Sequence, residues 1–111
     1  MKTRYVTEMG MGTDVHGRNY TQAAERAVFD AIHHSSLHFF APLGKTADDM
    51  FIDLLIGEPE PDKVDADRVA TGLPYGTVSV TVQKGGLEIP ADDSKDAIVI
   101  ANAGIIVRLA D

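Results

Sequence analysis

One helical stripe limits the architectures open to this chain more than any other feature. Tyr20, Ala23, Ala24, Ala27, Val28, Ala31 and Ile32 recur at the spacing of one face of an amphipathic helix. Four of these are alanines, so the helix axis can approach a sheet or a neighbouring helix closely. Asn19 or Thr21 can cap its start, and Asn19-x-x-Gln22 has the form of a capping box. The stripe therefore reads as core.

The remaining patterning is mostly that of strands. Arg4 to Met9 alternates, with Tyr5 and Thr7 opposite Val6 and Glu8, and Gly10 and Gly12 are expected to end this first strand. Met50 to Ile56 predicts a second strand, with Ile52, Leu54 and Ile56 on one side and Phe51, Asp53 and Leu55 on the other, stopped by the segment from Gly57 to Pro61. A short helix is expected over Asp62 to Ala70, capped by Asp62. Thr77 to Gln83 alternates strictly, and Leu87 to Ile89 can extend it beyond Gly85-Gly86. Asp96 to Leu109 is β-rich, either one strand with a bulge near Gly104 or two strands around Asn102-Ala103-Gly104. Ser35 to Thr46 is a connection too apolar, at Leu37, Phe39, Phe40 and Leu43, for a freely solvated loop.

The order β-α-β-α-β-β implies one α+β domain, a two-layer sandwich with both helices on one face of a mostly antiparallel sheet. The opposite face must then be polar or covered by another subunit. Asp53 among apolar neighbours fits a rim or an interface better than a dry core.

Composition narrows the function. The 111 residues suffice for one core, and an oligomer interface would add burial. Seventeen acidic against ten basic residues give a net charge of −7, which disfavours general nucleic-acid binding. Eight of the acids lie between Asp48 and Asp67 with Lys63 the only base among them, a pattern that reads as a solvated face. Cysteine is absent, excluding thiolate nucleophiles, disulfides and cysteine-type zinc sites. No apolar run approaches the length of a membrane span, and a cytoplasmic protein is expected.

The segment Gly10-Met11-Gly12-Thr13-Asp14-Val15-His16-Gly17 carries the chemistry. Asp14 and His16 are two apart, so an extended backbone points both side chains the same way. Such a pair can ligate a divalent metal, form a base oriented by a carboxylate, or hydrogen-bond the turn that holds it. Gly10, Gly12 and Gly17 permit positive φ and close approach of a ligand to the backbone. The adjacent helix start favours an anion, for which Arg18 is a candidate contact. The glycine spacing does not match a dinucleotide fingerprint, because Asp-Val-His displaces the third glycine.

All four histidines fall early: His16, His33, His34 and His38. His34 projects at the edge of the apolar stripe and is a candidate ligand-binding residue. A helix of about 14 residues spans roughly 20 Å, so His34 and the motif can share a site only through a neighbouring subunit.

The octapeptide, the Ala24–Ile32 helix and the His34-Ser35-Ser36-Leu37 exit resemble the Lin-type family of conserved hypothetical proteins, known by an N-terminal GxGxDxHG signature. Leu73-Pro74-Tyr75-Gly76 and Gly85-Gly86-Leu87 extend that resemblance over nearly the whole chain. It implies a similar length and motif rather than a reaction. Gly12-x-Asp14-Val15-His16 is also similar to the zinc-binding strand end of the trimeric methylerythritol cyclodiphosphate synthases. The position matching their third ligand is Arg26, which cannot ligate. The architecture is similar to the chorismate-mutase-like fold of RidA/YjgF trimers, whose inter-subunit clefts bind small molecules with an arginine on a carboxylate. Arg26, Arg68 and Arg108 are the counterparts available.

These readings converge on a small homo-oligomer, a trimer by that analogy, with an inter-subunit site around Asp14 and His16 for a small anionic metabolite. A divalent metal is the cofactor such a pair could hold. The alternative is a non-catalytic binding or regulatory module in which the motif supports a turn. Neither nucleic acid nor membrane is an expected partner.

Overall fold

The computed structural model describes residues 1–33, 40–73 and 75–111. The first strand, β1 (Lys2–Asp14), does not end at its glycines but runs through them. The expected helix follows as α1 (Tyr20–His33), with Tyr20, Ala23, Ala24, Ala27, Val28 and Ala31 buried. Asn19 caps it, its Oδ1 accepting from Gln22 N at 3.0 Å. Strand β2 (Met50–Glu58) also outruns its expected end, continuing through Gly57 and Glu58. The expected second helix divides into a 3-10 turn over Pro61–Lys63 and a short α2 (Ala66–Ala70). Its cap is Asp65, not Asp62, with the Asp65 side chain accepting from Arg68 N. β3 (Thr77–Lys84) and β4 (Leu87–Pro90) follow, and β5 (Ala97–Ala110) is one uninterrupted strand.

These strands make one sheet in the order β1-β5-β2-β3, with β4 pairing β5 beyond the end of β2. Only β2 and β3 are parallel; the remaining pairings are antiparallel. The protein is thus α+β, a five-stranded, mostly antiparallel sheet with two helices. No bulge occurs at Gly104, which pairs with both Met9 and Leu55. The register shift lies in β1 instead, between Arg4 and Val6.

The alanine stripe explains why β1 needs its glycines. A Cβ on Gly10 would stand 2.4 Å from Ala27 O and Ala31 N, and one on Gly12 would stand 2.3 Å from Ala23 O and Ala27 N. Neither glycine adopts a positive φ. Both are required because helix backbone lies directly on strand backbone, where only hydrogen fits. Beneath α1 the core is completed by Ile52, Leu54 and Ile56 of β2, Val99, Ile105 and Val107 of β5, and Val69 of α2. Phe40, at the described end of the apolar connection, packs against this core, whereas Leu43 is 48% exposed.

One core residue contradicts its sequence context. Glu58 belongs to the acidic run read as solvated, yet it is fully buried, and neither carboxyl oxygen has a hydrogen-bond partner among the described residues. The strand's alternation decides this: Glu58 follows Ile52, Leu54 and Ile56 on the inward side. Burial raises its carboxyl to about 7.

Two stability measurements follow. Gly12→Ala forces α1 away from β1 and should cost about 3 kcal/mol, lowering Tm on the order of 10–20 °C by calorimetry; an unchanged Tm would show that the helix is not seated on the strand. The folded chain retains a proton on Glu58 that the unfolded chain, with its carboxyl near 4.5, releases. Stability therefore falls as pH rises from about 4.5 through about 7. Glu58→Met should remove this dependence and leave the protein on the order of 2–3 kcal/mol more stable than wild type above that range in urea titrations. Equal slopes for the two proteins would place the titrating group elsewhere.

Candidate functional site

Between β1 and α1 the chain turns sharply through Val15–Asn19. Gly17 and Arg18 lie consecutively in the left-handed region, at φ +89° and +49°. Gly17 adopts it freely, whereas Arg18 is held there by its own side chain. Its guanidinium donates to Ser94 O at 3.2 Å and Asp96 O at 3.3 Å, and its Nε reaches Glu88 at 3.4 Å. Tyr20 adds a 2.6 Å hydrogen bond from Oη to Glu88 Oε1. Burial, and then this bond to Glu88, push the phenol up to about 12, so Tyr20 remains a donor. The turn is thereby fastened to β4 and the start of β5.

Asp14 and His16 have separate tasks. Asp14 is buried, and its Oδ2 accepts from Asn19 N at 2.9 Å. Arg26 lies 3.6 Å from its Oδ1 and donates to Thr13 O at 2.6 Å. With its amide oriented by the network, Gln22 also donates to Asp14 Oδ1 at 2.9 Å. Asp14 therefore anchors the N-terminus of α1, where a carboxylate meets unpaired backbone N–H groups and the positive end of the helix dipole. The expectation that it orients His16 is not met.

The carboxylate on the His16 ring is Asp96, eighty residues away in sequence. His16 Nδ1 lies 3.1 Å from Asp96 Oδ2. Asp96 Oδ1 accepts from Gly17 N at 2.9 Å and from Ala97 N at 2.8 Å. These two backbone N–H groups, followed by the His16 contact, hold its carboxyl at about 2. An ionised Asp96 can only accept, so Nδ1 carries a proton, and in the neutral imidazole this leaves the lone pair on Nε2 of a side chain 85% exposed. Beside the pair lies a cleft of about 320 Å³ walled by Val15, Ile89, Pro90, Ala97 and Ile98. It joins one titratable dyad to an apolar surface suited to the carbon skeleton of a small molecule.

The structure thus brings His16, Gly17 and Arg18 to one place and gives Gly10, Gly12 and Asp14 to the packing of α1. His34 and His38 lie outside the described residues. Of the arginines considered, Arg26 is engaged by Asp14 and Thr13, Arg68 pairs with Glu25 at 3.0 Å, and Arg108 pairs with Asp53 toward the opposite end of β5 from the cleft. Among the described residues no group of three or more His, Asp or Glu side chains could hold a metal ion. Asp14 and His16 do not form one ligand set, so the motif does not fit the zinc arrangement it resembles. No local pattern in the sequence marks Asp96, because its contact with His16 is long-range.

A family model for a conserved hypothetical protein family, Lin0512, matches residues 4–107. The chain belongs to this family. Its structure is similar to the crystal structure of an FtsZ-like protein of unknown function from Nostoc punctiforme, with a TM-score of 0.89 and 32% sequence identity over 99% of this chain and 98% of that one. No curated protein matches the chain. Among the described residues of this Lin0512 protein, no helix is long and apolar enough to cross a membrane.

The Asp96 anchor has a pH signature. Its folded carboxyl lies below the usual 3.8, so it stabilises the native state above that value and loses this contribution as pH falls through about 2. Asp96→Asn should flatten acid unfolding across this window and increase hydrogen exchange at Gly17 and Ala97. Acid unfolding identical to wild type would contradict the anchor.

Proposed function

We propose that this Lin0512 protein binds a small anionic metabolite in the cleft beside His16 and Asp96, with His16 as the working group. The carrying observation is the dyad itself: Nδ1 held by an ionised carboxylate leaves Nε2 free at the mouth of an apolar cleft. Such an imidazole can accept a proton from a substrate or, once protonated, donate to an anionic group. Gly17 shapes the turn, while Arg18 tightens it through Glu88 and the Ser94–Asp96 carbonyls. The chain acts as a homo-oligomer in this reading, since a single copy leaves His16 largely in solvent.

A second reading, a non-catalytic ligand-binding or regulatory module, is favoured by the structural use of half the motif. Asp14, Gly10 and Gly12 are committed to α1.

A thermal-shift and calorimetric screen against small carboxylates and phosphates tests the site. His16→Ala should weaken any hit at least about tenfold while leaving the unliganded Tm nearly unchanged, the loss expected when one charged hydrogen bond to a ligand is removed. Turnover of a hit that disappears in His16→Ala selects the enzyme, and binding without turnover selects the module. Hits bound equally by His16→Ala would remove the cleft from consideration.

A further inference from the structure

The helices cover one face of the sheet and leave the other open. On the open face Met9 is 78% exposed, Met11 53% and Leu55 40%, with Leu87, Ile89 and Ile98 beside them. A contiguous apolar set across four strands differs from singly scattered exposed side chains and marks a contact surface. Its charges are sorted by position. At one end Lys2, Arg4 and Arg108 outnumber two acids, Asp53, which pairs with Arg108, and Asp111, which accepts from Thr3. At the other, across the 14 residues of β5, Asp92, Asp93 and Asp96 stand against Lys84 and Lys95.

The whole chain carries −7, so two copies repel unless their contact is neutral or matched in charge. Turned end for end, this face matches itself. We propose that a second copy of the chain packs on the open sheet face about a two-fold axis crossing β5 near its midpoint, the basic end of each copy over the acidic end of the other. The register gives the placement. Arg4 pairs with Arg108 near one end of β5, and Asp14 pairs with Val99 near the other. Rotation about the midpoint carries Arg4 to the level of the partner subunit's Asp14, next to the exposed side chain of the partner's Val15.

The area is sufficient. Fourteen residues at about 3.4 Å each, across three to four strands about 4.8 Å apart, give on the order of 700–900 Å² per copy. A stable pair buries about 800 Å² on each partner. The contact also adjoins the cleft, because Val15, Ile89 and Ile98 belong to both surfaces. It covers His16 and brings the partner's Arg4 toward the cleft as an anion contact, a step that rests on the proposed small-anion site; the contact itself does not.

Crosslinking tests the arrangement without any ligand. The chain has no cysteine, and positions 4 and 15 of one β1 are roughly 35 Å apart, beyond a short bismaleimide. Mixing Arg4→Cys chains with Val15→Cys chains should give a crosslinked dimer, and neither variant alone should. Sedimentation equilibrium of the intact chain should give an even number of copies. Leu55→Glu, which sets like charges face to face, should give a monomer with an unchanged circular dichroism spectrum. A monomeric or trimeric wild type, or crosslinking as efficient within a single variant as in the mixture, overturns the proposal whether or not the cleft binds an anion.

Discussion

The backbone of α1 lies against the backbone of β1, and most of the molecule depends on that contact. Gly10 and Gly12 leave no Cβ on the strand, while Ala23, Ala27 and Ala31 offer only methyl groups on the helix. Close approach fixes the helix over β1 and β5 and leaves a thin core, which the branched side chains of β2 and β5 fill from the side. It also determines where α1 begins. With the helix seated this tightly, its first turn must start just beyond Asp14, whose buried carboxylate receives the Asn19 N–H.

The octapeptide therefore has two parts with different physical tasks. Its first half sets helix against strand and ends in a buried anchor. Its second half enters a turn, completed by the left-handed Gly17 and Arg18, that delivers His16 to a carboxylate on β5's threshold. The anchor constrains the turn from one side, and the Arg18–Glu88–Tyr20 network constrains it from the other. His16 is thus a solvent-facing side chain on a backbone that has little freedom to move. Positioning of this kind suits a working group better than a loop end without function.

Local periodicity made the elements legible. The spacing of Tyr20, Ala23, Ala27 and Ala31 identified α1, and alternation identified the inward faces of β2 and β3. Boundaries are harder, because a glycine signals a stop even where it sits within a strand: in β1 the packing of α1 requires Gly10 and Gly12, and in β2 Gly57 lies against the Gly85-Gly86 turn. At Glu58 charge composition points outward and the strand period points inward, and the period prevails. The motif's position was legible, but its internal pairing was not. Asp14 and His16 share a spacing, yet the carboxylate that matters to the imidazole comes from Asp96, which only the tertiary fold supplies.

Asp96, and not Asp14, holds His16 through Nδ1 and leaves Nε2 without a partner among the described residues. Long-range proton–nitrogen NMR spectra of the imidazole test this directly. Neutral His16 should carry its proton on Nδ1 in the wild type and in Asp14→Asn, and should lose that preference in Asp96→Asn. A proton on Nε2 in the wild type, or a tautomer that changes with Asp14 but not with Asp96, would contradict the account.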